Sequence, residues 1–378
     1  MPDQTISRRR FAGTLGVAVG AALAEPYLGS LARASIHRGM PEDVVQLNSN
    51  ENPYGPSPRA LEALTRSGRI AGRYPDAAED EVREAIAKSH GVKVERVLLG
   101  CGSSEILRMA DGAFLTAGKT VVAAEPTFEA VLLYARVTKA EATKVPLTAD
   151  FRHDLPRMAG ACDARTGLVY VCNPNNPTGT IVGGDELEDF LARVPASAAV
   201  LVDEAYHHFV EDKRYRSAID MIGRFPNVVV ARTFSKIYGM AGMRLGYAVG
   251  SEANIAAMGR HASWNNTNAS ALAAAVASLA DADLVPRQRR QINDTRRWLC
   301  AELEREGRRY IPSHANFLMV DVGRDVEPVI RAFRDRKILV GRKFPSLPTW
   351  QRVSIGKREE VQAFLAALKE IVPARAVA

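Results

Sequence analysis

Cysteine is scarce in this chain: Cys101, Cys162, Cys172 and Cys300 are the only four in 378 residues. None belongs to a Cys-x-x-Cys pair, so no structural zinc site is expected. Cys162 and Cys172 fall in or beside apolar runs, where a buried free thiol is the expected state. Long apolar runs are lacking too. The stretch after Arg10 is interrupted by Glu25 and Pro26 before it reaches the roughly 18 residues of a membrane span, which argues against a retained anchor. Aromatic residues make up 7% of the chain, and no basic stripe interleaves with them, so nucleic acid is not expected as a partner. No internal repeat or low-complexity tract is evident beyond the first residues.

What remains is an ordinary globular composition, 47% hydrophobic and 25% charged, in a chain long enough for about two domains. Net charge is +7, a mild positive field that suits anionic substrates. The N-terminus reads as a targeting segment. Ser7-Arg8-Arg9-Arg10-Phe11 precedes a Gly- and Ala-rich apolar stretch, and Ala32-Arg33-Ala34 offers a small-x-small cleavage site. The paired arginines resemble a twin-arginine export signal, a route that carries folded cargo. Loss of residues 1–34 removes four arginines and two acids and leaves a mature charge of +5. Export to the periplasm is therefore expected, with a cytoplasmic enzyme carrying a basic tail as the alternative.

Downstream, short β-branched runs alternate with helical patterns, the signature of βαβ units and a mostly parallel sheet. The runs predict strands at Thr120–Ala124, Gly167–Cys172, Ala199–Asp203, Val228–Thr233 and Leu245–Gly250. Helices are predicted at Ser104–Phe114 and Glu186–Ala192, and across the Ala-rich segment from Ala269 to Glu304. The C-terminal part mixes strands (Phe317–Val320, Ile338–Val340, Arg352–Ile355) with helices (Glu327–Arg334, Glu359–Ile371), a smaller α+β unit. Residues 35–70 hold many Pro and Asn and read as an arm.

Four motifs sit at candidate strand ends, where parallel α/β sheets bind ligands. Gly100-Cys101-Gly102-Ser103-Ser104 opens a helix and offers Gly102, Ser103 and Ser104 to a phosphate. Asn173-Pro174-Asn175-Asn176-Pro177-Thr178-Gly179 follows the strand that ends at Cys172. Asp203 closes a buried strand and needs a partner for its charge, and Tyr206 follows it. The fourth motif is Thr233-Phe234-Ser235-Lys236, with Arg244 eight positions on. An amine in a desolvated pocket can lose its proton and form an imine. Hydroxyls and an arginine can grip a phosphate dianion. Together these parts can hold an aldehyde cofactor by its carbon and its phosphate. His207 and His208, read as solvated on a strand edge, are given no role.

The lysine motif resembles that of the pyridoxal-phosphate-dependent aminotransferases of classes I and II, and the Asn-Pro-Thr-Gly string is similar to theirs. Over residues 44–372 the nearest resemblance is to the histidinol-phosphate aminotransferases, whose arm motif is similar to Leu47-Asn48-Ser49-Asn50-Glu51-Asn52-Pro53-Tyr54-Gly55. The resemblance implies the fold type I transferase architecture, a large, mostly parallel-sheet α/β domain with a smaller α+β domain. The arm at 35–70 would count with the small domain. The large cofactor-binding domain would run over 71–265, and linking helices with the small domain over 266–378.

By the same resemblance Lys236 links to the cofactor and moves the proton, and Asp203 keeps the ring nitrogen protonated. Asn176 and Tyr206 bond the ring oxygen, and Phe128 stacks on the ring. Gly102, Ser103, Ser104, Thr233, Ser235 and Arg244 hold the phosphate. Tyr54 reaches the cofactor phosphate of a partner subunit, which implies a homodimer. Arg352, in Arg352-Val353-Ser354-Ile355-Gly356, binds the substrate carboxylate, with Asn52 as a further substrate contact. The family's phosphate-gripping arginine near Ile338 is matched, slightly displaced, by Arg342. The expected reaction transfers an amino group from a histidinol phosphate-like or aromatic donor to 2-oxoglutarate, with decarboxylase, lyase or oxidase chemistry as alternatives on one scaffold.

Overall fold

The computed structural model of the chain describes residues 43–373. The expected export signal at 1–34, its cleavage site and the beginning of the arm lie outside the described residues.

In chain order the elements are β1 (Val45–Leu47), α1 (Pro58–Ser67), α2 (Asp76–His90), β2 (Val97–Gly100), α3 (Ser103–Phe114), β3 (Thr120–Glu125), α4 (Ala130–Val137) and β4 (Glu141–Pro146). Next come α5 (Leu155–Gly160), β5 (Thr166–Cys172), α6 (Gly184–Leu191), β6 (Ala199–Asp203), β7 (Val228–Thr233), β8 (Gly246–Gly250) and α7 (Glu252–Gly259). The chain ends with α8 (Ala269–Leu279), α9 (Leu284–Arg305), β9 (Tyr310–Ile311), β10 (Phe317–Asp321), α10 (Val326–Asp335), β11 (Ile338–Val340), β12 (Trp350–Ser354) and α11 (Arg358–Ile371).

Seven strands form one sheet in the order β2-β8-β7-β6-β5-β3-β4. The β4-β3-β5-β6-β7 block is parallel, β8 runs antiparallel to β7, and β2 pairs antiparallel with β8 and so runs in the direction of the block. Every residue of β5, β6 and β7 is buried, as expected of strands covered on both faces. Alternate residues enter two separate apolar clusters. Val169, Val171, Val200, Val202, Val228 and Val230 join one, while Leu168, Tyr170, Leu201, Val229 and Ala231 join the other. The period of two along each strand thus divides the core between the two sheet faces.

A second sheet, β12-β10-β9, is antiparallel, and β1 pairs in parallel with β11. Phe333 of α10 stacks on Phe364 of α11 at 5.1 Å. The Ala-rich α8 packs against α1 and α2. The described part of the segment read as an arm holds two regular elements. It contains β1 and α1, and α1 starts with Pro58 in its first turn and with Ser57 accepting a hydrogen bond from Ala60 N at 3.2 Å. Four strands, β1, β2, β4 and β9, had not been delimited in the sequence. Of these, β4 buries one residue of its six, Val145, so it carries no apolar run. All four cysteines are free thiols. Among the described residues no single helix is long and apolar enough to cross a membrane.

Candidate functional site

The carboxyl ends of β5, β6 and β7 and the β2–α3 turn bring the four motifs together. At that turn Gly102 has φ +78°, and a Cβ there would lie 2.2 Å from Arg244 Nη2. Only glycine permits this approach. Gly246 is equally confined, since a Cβ on it would come within 2.4 Å of Ser103 N. Glu105 Oε2 accepts from Cys101 N at 2.7 Å and steadies the turn, and Glu105 N donates to Gly102 O at 3.1 Å, while the Ser103 and Ser104 N–H groups precede the first acceptor within the helix. Arg244, itself at φ +55°, donates from Nη1 to Ala241 O at 2.9 Å and to Ser235 Oγ at 3.4 Å. Gly102, Ser103, Ser235 and Arg244 therefore converge, with Ser104 next in the helix. Thr233 lies beside them, buried at the end of β7. Its Oγ1 accepts from Ser235 N at 3.0 Å and shapes the loop.

Asp203 ends β6, buried, with each carboxylate oxygen accepting one hydrogen bond. Tyr170 OH donates to Oδ2 at 2.9 Å and Ala205 N to Oδ1 at 3.1 Å. Burial pushes this acid up to about 6, against the pull of those donors and of the nearby Lys236 charge. Lys236 is half-buried, and its Nζ donates to Asn50 O at 3.1 Å and Ser49 O at 3.4 Å. Burial, reinforced by the Arg352 charge, brings the amine down to about 8. The site thus holds a carboxyl raised and an amine lowered toward neutrality, the pattern of groups that exchange protons.

Above this pair runs a hydrogen-bonded chain of side chains. Tyr206 OH accepts from Asn50 Nδ2 at 3.1 Å and from Asn176 Nδ2 at 3.5 Å. Asn176 Oδ1 accepts from Arg352 Nη1 at 2.8 Å, and Arg352 Nη2 donates to Asn48 O at 3.0 Å. Arg352 is buried, its Nε has no partner, and no ion pair with a carboxylate of the described residues forms. Burial lowers it to about 10, so it stays a cation at neutral pH.

Asn50, part of the arm motif, was given no role of its own in the sequence. Its backbone sits at φ +53°, a conformation that asparagine tolerates better than most residues. Its N–H donates to Ser354 Oγ at 2.8 Å, and its carbonyl also accepts from Asn316 Nδ2 at 3.0 Å. Tyr170 as the partner of Asp203 was missed as well.

The remaining expected residues are placed as follows. Phe128 is half-buried against the smaller of the two sheet clusters, and its loop is tied to the Asn-Pro turn by Thr127 Oγ1 to Asn175 Oδ1 at 2.8 Å. Asn52 is wholly engaged inside the chain. Nδ2 donates to Ile237 O at 2.9 Å, and Oδ1 accepts from Tyr54 N at 3.0 Å. Tyr54 is half-buried with Thr295 and Glu359 near its hydroxyl. Arg342 pairs with Glu129 at 2.6 Å. His207 and His208 are not on a solvated strand edge. They occupy a short 3-10 turn, half-buried beside Tyr215 and Tyr238, and burial holds both below the usual histidine range. Among the described residues no group of three or more His, Cys, Asp or Glu is arranged to hold a metal.

Compared with known proteins, residues 42–368 match the family described as aminotransferase class I and II. A histidinol-phosphate aminotransferase of Moorella thermoacetica is 42% identical over 335 residues, 88% of this chain and 86% of that protein. An aromatic amino acid aminotransferase of Cutibacterium acnes is 40% identical over 306 residues, 79% of this chain and 87% of that protein. The crystal structure of histidinol-phosphate aminotransferase from Sinorhizobium meliloti in complex with pyridoxal-5'-phosphate matches with a TM-score of 0.83 at 26% identity, covering 88% of this chain and 92% of that one.

Proposed function

This chain belongs to the class I and II aminotransferases, enzymes that work with pyridoxal phosphate, and on that premise we propose that it moves an amino group between a histidinol phosphate-like or aromatic donor and 2-oxoglutarate. The residues present fit the cofactor. The absence of a Cβ at Gly102 lets Arg244 and Ser235 meet the first-turn N–H groups of α3, a donor set for a phosphate. Asp203 accepts one hydrogen bond on each oxygen, which leaves lone pairs for the N–H of a pyridine ring. Pyridoxal phosphate, when bound, supplies an aldehyde for the amino nitrogen and a ring that accepts the electron pair released at Cα.

The protein's own groups divide the remaining work. Lys236, with its amine lowered to about 8, is the base that lifts the Cα proton and later returns it, a role typically worth about 10²–10⁴-fold. Tyr206 OH already accepts from Asn50 and Asn176, so its own proton is available to a ring oxygen. Arg352 carries the reading, as a buried cation with an unpartnered Nε and no protein carboxylate, beside the lysine. A substrate oxyanion completes it, either an α-carboxylate or the phosphate group of an amino phosphate.

The setting forms part of the same proposal. The enzyme works as a homodimer in which Tyr54 serves the partner's cofactor phosphate, and the Arg8-Arg9-Arg10-Phe11 segment sends it through the twin-arginine machinery to the periplasm. Fractionating cells that express the full chain checks the export, and an entirely cytoplasmic protein would remove it.

A single-turnover assay tests the reaction. Donor added to the cofactor-loaded protein should convert its visible absorbance to that of the amino form of the cofactor, and 2-oxoglutarate should reverse the change. Lys236→Ala should abolish turnover while some cofactor stays bound. Full activity in that variant would end the proposal.

A further inference from the structure

Arg342 is the one expected substrate residue that the structure places against a carboxylate of the protein itself. Its Nη2 lies 2.6 Å from Glu129 Oε2, and its guanidinium carbon sits 4.4 Å from the centre of the Phe344 ring. The same ring carries Arg352, whose guanidinium carbon is 5.2 Å away. Two cations therefore share one aromatic face-bearing platform, an arrangement that holds both by attraction to the ring. The backbone fixes their relation. Gly341 N donates to Arg352 O at 2.9 Å, and Gln351 Nε2 donates to Gly341 O at 2.8 Å, so the segment bearing Arg342 is sewn to the strand bearing Arg352.

The charge count of this corner differs from the residue count. Arg352 has no acid partner, whereas Glu129 cancels Arg342. The corner offers one uncompensated positive charge, not two. A carboxylate carries one negative charge, and a phosphate monoester carries about 1.5 to 2 near neutral pH. One free cation matches the carboxylate. A phosphate would have to draw Arg342 away from Glu129 or accept the Glu129 charge as a neighbour, and a like charge that close penalises it.

We propose that Glu129 is a specificity-determining residue that tunes this aminotransferase toward donors bearing a carboxylate and away from donors bearing a phosphate at the same place. The inference rests on the amino-transfer reading above and narrows its two donor classes to the aromatic, carboxylated one. Electrostatics agree with the geometry, since Arg342 depresses the Arg352 pKa while Glu129 raises it, so each group is felt at the other. The pair is open to exchange. The side chains are 53% and 44% exposed, and an exposed ion pair is worth little, so the balance is shifted by one substitution.

The experiment compares phenylalanine with histidinol phosphate on the cofactor-loaded protein, by dissociation constants from titration calorimetry and by single-turnover rates. The parent is expected to favour phenylalanine. Glu129→Gln should tighten histidinol phosphate by about five- to tenfold while phenylalanine moves less than about twofold. Arg342→Gln should weaken the phosphate ligand more than phenylalanine, since it leaves the Glu129 charge uncompensated beside the phosphate, and Glu129→Gln added to it should restore part of that loss. Equal shifts for both ligands, or no shift, would each overturn the assignment of Glu129. Failure of the amino-transfer reading looks different, since neither ligand would then turn over in the parent although both affinities could still be compared.

Discussion

Replacing Glu204 by Gln tests whether the floor of the site rests on a buried ion pair. Glu204 directly follows Asp203, and its side chain and that of Arg232 are 1% and 5% exposed. Oε2 accepts from Arg232 Nε at 3.0 Å and Nη2 at 2.7 Å, while Oε1 accepts from Ala218 N at 2.7 Å. Burial alone would depress the Arg232 pKa, and Glu204 reverses this so that the net shift is upward. Glutamine keeps the volume and an acceptor for Ala218 but strands the guanidinium as a buried charge. Removing one side of such a pair costs about 3–5 kcal/mol. With a urea slope of about 3 kcal/mol per M, the midpoint should fall by about 1–1.7 M.

The companion Glu204→Leu/Arg232→Met removes both charges. It should recover most of that loss and stay about 1–2 kcal/mol below the parent, because Ala218 N–H and Ser217 Oγ lose their acceptor. Urea titration of the cofactor-free proteins at pH 7, read by circular dichroism, measures all three. A single-variant cost below about 1 kcal/mol, or a double variant no better than the single, would refute the claim that the pair is held together by its own mutual compensation.

Two further outcomes follow from the titrating groups. In cofactor-free protein, acetylation of Lys236 followed by peptide mass spectrometry should reach half its maximal rate near pH 8, not near the ordinary 10.5, and an inflection above pH 10 would contradict the desolvated amine. Acid should destabilise the cofactor-free protein between pH 6.5 and 4. His153 and His90 are lowered to about 4 by burial, so the folded state binds fewer protons than the unfolded one in that window, and stability present above 6.5 is lost as the pH falls. His153 alone costs about 3 kcal/mol at pH 4 by this route. Asp203, raised to about 6, and Asp111, raised to about 8 by burial, work in the opposite sense, but His207 and His208, both held below the usual histidine range by burial, add to the histidine side. A urea midpoint that is unchanged from pH 7 to pH 5 would refute the net sign.

The strands that carry the chemistry were legible because they are buried on both faces. Val228-Val229-Val230 and Val200-Leu201-Val202 need no partner to declare themselves, and Lys236 and Asp203 are conspicuous as charged groups just beyond such runs. Edge strand β4 (Glu-Ala-Thr-Lys-Val-Pro) declares nothing, since water covers most of it. Tyr170 was hidden differently. As a strand aromatic it reads as core, and its role follows from register, because Cys172 pairs with Asp203 and Tyr170, two residues earlier, points to the same sheet face. His207 and His208 misled because the chain turns back after Asp203 and covers them. Arg342 was found, but its neutralising partner lies 213 positions away and no local pattern points to it.

Asn50 shows most clearly what only three dimensions supply. Its partners Tyr206, Lys236, Asn316 and Ser354 stand between 156 and 304 positions away, and the pairing of β1 with β11 delivers it to them. Its carbonyl accepts from both Lys236 Nζ and Asn316 Nδ2, which uses both lone pairs. Lys236 must leave that carbonyl whenever it acts as a base. Asn316 then still holds the carbonyl, Ser354 still holds the N–H, and Tyr206 still receives the amide. The amine can therefore swing away without releasing the segment that positions Tyr206, and the arm need not move in step with the proton.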